Sequence, residues 1–159
     1  MENQSIIEGL DKHLSKVNEV GEDVTAIEKL IYKYANGKSF GKLVWALIRP
    51  TIASQGGRFI APSFNDIKQP LIGDIKDTVA LMQKESDMSK QECINYLLDP
   101  NEYDDEIGNY ADTSFAEALP DLYDGHSGLN VIMDHEDDMI NFLNREIKKN
   151  YKMLISAVR

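Results

Sequence analysis

Cysteine, long apolar runs and signal-peptide features are scarce in this sequence. The single cysteine, Cys93, excludes an intramolecular disulfide bond and a cysteine-rich zinc site. It lies on the apolar side of a predicted helix, so we expect a buried thiol. The most apolar run, residues 40–53, contains Lys42 and Arg49 and is too short and too charged to span a bilayer. The polar N-terminus lacks the apolar stretch of a signal peptide, which predicts a cytoplasmic protein.

Positive charge is absent from one long stretch of the chain. Residues 91–144 contain 14 acidic side chains and no lysine or arginine. Residues 1–90 are balanced, with 12 acidic and 12 basic side chains, and residues 145–159 contain five basic and one acidic. The formal net charge of −10 therefore originates in a single region.

Apolar residues recur at helical spacing along most of the chain. The spacing predicts a first helix from Ile6 to Val20 that ends at Gly21, and a second from Val24 to Tyr34. Further predicted helices are one that begins at Ser39 and ends or kinks at Pro50, one with Pro70 as its first residue, one that begins at the capping box Ser89–Glu92, and a long one over Asn130–Val158.

These elements predict an all-α, or mainly α, fold. The length of 159 residues fits one domain, which we expect to be a helical bundle of about five to seven helices with a long C-terminal helix. Periodicity fades over residues 99–130, where only Thr113–Leu119 is predicted to be helical, so we expect an irregular acidic segment there. Residues 58–60 carry a weak strand signal.

Two histidines near carboxylates are the strongest candidates for chemistry. His126 and His135 lie close to Asp124 and Asp134, and such side chains can hold a divalent metal that activates water. The histidines are nine residues apart, however, and metal-binding helices place ligands three or four residues apart. We therefore expect no resident metal and no cofactor, and a small metal-dependent hydrolase is the alternative hypothesis.

The acidic stretch carries the main functional hypothesis. The helix dipole accounts for acids at the start of the last helix but not for those between Asp99 and Asp124. Unpaired, these charges repel one another, and a partner rich in lysine and arginine would offset that cost. Tyrosines interleaved with acids are typical of binding surfaces. The predicted partner-binding residues are Tyr103, Asp104, Asp105, Glu106, Tyr110, Asp112, Asp121, Tyr123 and Asp124.

The predicted function is therefore inhibition by binding and not catalysis. We expect an immunity- or antitoxin-like protein that neutralises a basic toxin or enzyme acting on nucleic acids or nucleotides. Direct nucleic-acid binding is not expected, because phosphates would meet carboxylates. A structural helical subunit is a third hypothesis, and the sequence leaves the oligomeric state open.

Overall fold

The computed structural model describes residues 15–36, 38–54, 57–99 and 109–159, with side chains from residue 24 onward. Within these ranges the chain forms seven α-helices and no β-strand. They are α1 (Ser15–Tyr34), α2 (Ser39–Ser54), α3 (Phe64–Glu85), α4 (Lys90–Leu98), α5 (Ala116–Tyr123), α6 (Asn130–Asp134) and α7 (Glu136–Val158). A π-helix, Tyr110–Phe115, runs directly into α5, and a 3-10 turn, Ser127–Leu129, runs into α6. The predicted all-α bundle with a long C-terminal helix is confirmed.

Helix α3 occupies the middle of the bundle. It packs against α2, α4 and α7, while α1 packs on α2. The core side chains of α3 are fully or almost fully buried, and they are Ile67, Leu71, Ile72, Ile75 and Val79. Burial of such side chains from water is the main force that holds the helices together. No helix in the described ranges is both long and apolar enough to cross a membrane.

The N-terminal helices differ from prediction at Gly21, where the predicted break is absent. Helix α1 continues through Gly21 to Tyr34, because a lone glycine inside a helix costs only about 1 kcal/mol. The helix ends instead where Asn36 adopts a positive φ of 55°, a conformation that asparagine tolerates. Residues 1–14, which include most of the predicted first helix, lie outside the described residues.

Two helices continue through prolines, and at Pro70 this differs from the prediction. Helix α2 extends past Pro50 to Ser54. Helix α3 begins at Phe64 and includes Pro70 in its interior. The start is set by Ser63, whose backbone N–H donates to the Asp66 carboxylate over 3.4 Å, so the predicted role of Pro70 as first residue is wrong.

Residues 57–63 form a connection without regular secondary structure before α3, so the weak strand signal at residues 58–60 corresponds to no strand. The Ile60 N–H donates to Oγ1 of the buried Thr51 over 2.7 Å, which ties the connection to the end of α2. In α4, by contrast, the predicted capping box is confirmed. The Ser89 N–H donates to Glu92 Oε1 over 2.7 Å, and the Glu92 N–H donates to Ser89 Oγ over 3.1 Å.

The predicted irregular segment contains more helix than expected. The chain is helical from Tyr110 through Tyr123, including Pro120. Residues 100–108 lie outside the described residues. The predicted C-terminal helix is interrupted at two residues with non-helical dihedral angles. They are His135 (φ −115°, ψ 19°), between α6 and α7, and Asn150 (φ −116°, ψ 17°), where α7 is kinked. Helix α7 buries one apolar side, formed by Met139, Phe142, Leu143, Ile147, Leu154 and Val158.

Candidate partner-binding surface

The π-helix and α5 form one element with two opposite sides. Its inward side is buried and consists of Tyr110, Ala111, Phe115, Leu119 and Leu122. Its outward side carries four exposed carboxylates, here called the acidic stripe: Asp112, Glu117, Asp121 and Asp124. The last three follow the i, i+4, i+7 spacing of one helix side. Docking of the apolar side into the core therefore explains why these residues face outward, but not why all of their charges are negative.

Two hydrogen bonds join this element to α7. Asn144 Nδ2 donates to Asp112 Oδ1 over 3.0 Å, and the Tyr123 hydroxyl donates to Glu136 Oε1 over 2.9 Å. The first contact lies near the start of the π-helix and the second at the end of α5, whereas the order along α7 is reversed. The two elements are therefore antiparallel neighbours.

Helices α6 and α7 extend the negative surface. Asp137 is exposed and precedes Asn144 by seven residues, two helical turns, so it lies on the side of α7 that meets the stripe. Helix α6 packs on both α5 and α7, and its Asp134 is exposed. The acidic stripe together with Asp134 and Asp137 is called the acidic surface below.

Direct ion pairs are lacking on this surface: across the described residues, none of its six carboxylates pairs with a lysine or arginine. The nearest basic residue along the chain is Arg145, whose guanidinium lies 6.0 Å from the centre of the Phe142 ring. Like charges without countercharges repel one another and raise the free energy of the folded state.

Tyr123 lies at the edge of the acidic surface. Desolvation raises the pKa of its hydroxyl, and the hydrogen bond to Glu136 and the charges of Glu136 and Asp124 raise it further. The hydroxyl therefore stays protonated and donates to Glu136. The half-buried ring packs against the core, so Tyr123 serves both the fold and the border of the surface.

The predicted partner-binding residues fall into three groups: residues on or beside the acidic stripe, residues outside the described ranges, and one buried tyrosine. Asp112, Asp121 and Asp124 are exposed on the acidic stripe, and Tyr123 is half-buried beside it. Tyr103, Asp104, Asp105 and Glu106 lie outside the described residues. Glu117 was not among the predicted residues, although its spacing to Asp121 and Asp124 marks the same helix side.

Tyr110 is a correction to the prediction. Its side chain is 0% exposed, and its hydroxyl donates to the buried carboxylate of Asp74 on α3. A partner therefore has no access to this ring in the folded protein. The sequence could not show this, because Asp74 is 36 residues away along the chain.

The two histidines occupy different environments. His126 stacks on Tyr34, with ring centres 3.7 Å apart and planes inclined by 17°. His135 places Nδ1 3.1 Å from Asp138 Oδ2 and lies 6.2 Å from the ring of Phe59. The part of the chain that the structure describes contains no group of three or more histidine, cysteine or acidic side chains placed to hold a metal. The described geometry thus offers no support for the metal-hydrolase hypothesis.

Cys93 is buried as predicted, with 0% of its side chain exposed. Burial raises the pKa of the thiol, and the charge of Glu92 adds to this effect. A nucleophilic cysteine requires the opposite shift, toward the thiolate. This thiol therefore belongs to the core.

Comparison with known proteins provides no relative for this chain. No protein family, no curated protein and no solved structure matches it.

Proposed function

We propose that this chain is a protein-binding inhibitor, immunity- or antitoxin-like, that acts in the cytoplasm. Its acidic surface would cover the basic active site of a toxin or enzyme that acts on nucleic acids or nucleotides. The observation that supports this proposal is the acidic stripe, in which Asp112, Glu117, Asp121 and Asp124 share one outward side and, within the described residues, form no ion pair with a lysine or arginine.

The acidic surface lowers the stability of the free protein and favours recognition of a basic partner. An acidic surface without countercharges costs folding free energy, and a basic partner removes that cost on binding. Complementary charge also accelerates association, which is useful to an inhibitor that must act before its target does. Carboxylates at helical spacing can occupy positions that phosphates occupy in the target's active site. The same charge opposes direct contact with nucleic acid.

The experiment begins with the tagged protein expressed in its native host and purified at low and at high salt. We expect a basic protein to co-purify in about equal amounts at low salt and to be lost at high salt, because screening weakens charge-based binding. The captured protein is then produced alone and tested for nuclease or nucleotide-directed activity. One equivalent of this chain should inhibit that activity.

Two triple variants with the same change in net charge test the location of the binding site. The first removes charge from the stripe by Glu117→Gln, Asp121→Asn and Asp124→Asn. The matched control changes three exposed carboxylates of the charge-balanced half, residues 1–90: Asp66→Asn, Glu85→Gln and Asp87→Asn. Loss of binding and inhibition in the first variant alone supports the proposal, and equal loss in both variants contradicts a defined site.

A third variant tests residues 104–106, which lie outside the described residues. Asp104→Asn, Asp105→Asn and Glu106→Gln together remove charge from the predicted loop. If this variant loses binding as the stripe variant does, the loop belongs to the binding site. A chain that captures no basic protein and shows a mass rising with concentration contradicts inhibition and supports a structural subunit. A bound metal would instead support the metal-dependent hydrolase that uses His126 and His135.

A further inference from the structure

A buried polar pair connects the charge-balanced half of the molecule (residues 1–90) to the acidic half (residues 91–144). The hydroxyl of Tyr110, which is 0% exposed, donates to Oδ2 of Asp74, which is 9% exposed and belongs to the central helix α3. The geometry leaves each group dependent on the other, since an unpaired buried polar group is costly. Burial raises the pKa of both side chains, and Asp77 is the further charge that acts on both.

The same tyrosine begins the only π-helix in the described residues. Its wider turn is visible at Ala116, whose N–H donates to the carbonyl oxygen of Ala111, five residues earlier, and to that of Thr113. In an α-helix the acceptor would be the carbonyl oxygen of Asp112, four residues earlier. A π-turn is therefore one residue longer than the α-helix that could replace it.

The replacement would move the side chains that precede the turn. One residue corresponds to a rotation of about 100° around an α-helix. Such a rotation would take the Tyr110 hydroxyl away from Asp74 and the Asp112 carboxylate away from Asn144. Both hydrogen bonds therefore require the π-turn, and the buried one is the costlier to break.

We infer that Asp74 is a positioning residue: its hydrogen bond with Tyr110 holds the π-turn and thereby sets where Asp112 lies on the acidic stripe. Asn109 supports the same register, since its Nδ2 donates to the carbonyl oxygen of Tyr96 on α4 over 3.0 Å. The effect on local structure is independent of any partner. Its importance for recognition rests on the proposed function.

The test measures which carbonyl accepts the Ala116 amide proton. A long-range HNCO spectrum of the isotope-labelled full chain detects this acceptor through the hydrogen bond. The wild type should show a cross-peak from the Ala116 nitrogen to the Ala111 carbonyl carbon. Asp74→Asn should keep it, because the amide oxygen still accepts from Tyr110. Tyr110→Phe should lose it and gain a cross-peak to the Asp112 carbonyl carbon.

Two further variants keep the test decisive. Asp74→Leu combined with Tyr110→Phe leaves neither polar group unpaired, so it should stay folded while lacking the hydrogen bond, and it should show the Asp112 acceptor. Tyr123→Phe removes a hydroxyl at the other end of the same element and should leave the Ala111 acceptor unchanged.

An unchanged Ala116–Ala111 cross-peak in the folded double variant would overturn the inference. So would its loss in Asp74→Asn, since the charge and not the hydrogen bond would then control the turn. Neither result depends on a partner, so the inference can fail while the proposed function stands. The reverse also holds, because absence of a basic partner leaves the acceptor measurement unaffected.

Discussion

In the charge-balanced half (residues 1–90) and the acidic half (residues 91–144), helices bury one apolar side in the same way. The charges on their exposed sides differ. Helix α3 buries an apolar side and exposes acids and bases together, including Asp66, Lys76, Asp77, Lys84 and Glu85. The π-helix and α5 also bury an apolar side, but every exposed charge on them is negative. In general, a surface of mixed charge is sufficient for solubility and folding. The carboxylates of the second half therefore require an explanation other than packing.

The halves also differ in what they bury. In the first half Thr51 is buried with a hydrogen bond to the backbone of Ile60, which is an ordinary local contact. One buried polar contact that joins the halves is the pair of Asp74, from the first half, and Tyr110, from the acidic half. Tyr110 of the acidic half therefore contacts the central helix α3 at Asp74, which is itself an acidic residue. Substitutions in this buried pair should therefore have the largest effects on the protein.

The largest expected effect is the loss of stability on removing one member of that pair. Tyr110→Phe leaves the Asp74 carboxyl group buried without its donor, which should lower the free energy of unfolding by about 2–3 kcal/mol. Asp74→Asn keeps an acceptor for the tyrosine hydroxyl and should stay within about 1 kcal/mol of wild type. Urea denaturation followed by circular dichroism measures both. Equal stability of Tyr110→Phe and wild type would show that the pair contributes nothing.

The pH dependence of stability should show a smaller effect of the same pair. Desolvation raises the pKa of Asp74; the hydrogen bond from Tyr110 lowers it in part, and the charge of Asp77 raises it again. A carboxyl group with a raised pKa in the folded state stabilises the fold below its unfolded pKa. That contribution disappears as pH rises through the folded pKa. Wild type should therefore lose stability relative to Asp74→Asn over this range.

The measurement is a series of urea denaturations of both proteins between acid and neutral pH. The difference in free energy of unfolding should shift in favour of Asp74→Asn as pH rises. Asp77→Asn is the control, because it removes a neighbouring charge and leaves the buried carboxyl group in place. It should retain most of the wild-type dependence. A constant difference between wild type and Asp74→Asn would mean that Asp74 titrates alike in the folded and unfolded chain.

Local features of the fold were predictable because local interactions create them. The capping box Ser89–Glu92 forms within four residues, and the buried side of α7 follows directly from helical spacing. The predicted break at Gly21 and the predicted helix start at Pro70 were wrong for a different reason. A glycine costs a helix about 1 kcal/mol and an interior proline about 3 kcal/mol. Burial of several neighbouring apolar side chains outweighs both.

The candidate surface was predictable only in part. The absence of basic residues identified the region, and the spacing of Glu117 to Asp121 and Asp124 could have completed the stripe. The roles of the tyrosines were not readable, because Tyr110 and Tyr123 each have an acidic residue within two positions along the chain. What distinguishes them is the partner of each hydroxyl, Asp74 in the core or Glu136 at the border. Those partners are brought close by the fold and not by the sequence.

The smallest expected effect concerns salt, and it measures the charge difference between the halves directly. Added salt screens the repulsion within the acidic stripe, so wild type should become more stable between low and moderate ionic strength. The variant Glu117→Gln, Asp121→Asn and Asp124→Asn should be slightly more stable than wild type at low salt and respond less to salt. A charge-conserving control, Glu117→Asp with Asp121→Glu and Asp124→Glu, should retain the wild-type salt response. Identical salt responses of wild type and the neutral variant would show that repulsion within the stripe costs the monomer nothing, and a basic partner would then relieve no strain on binding.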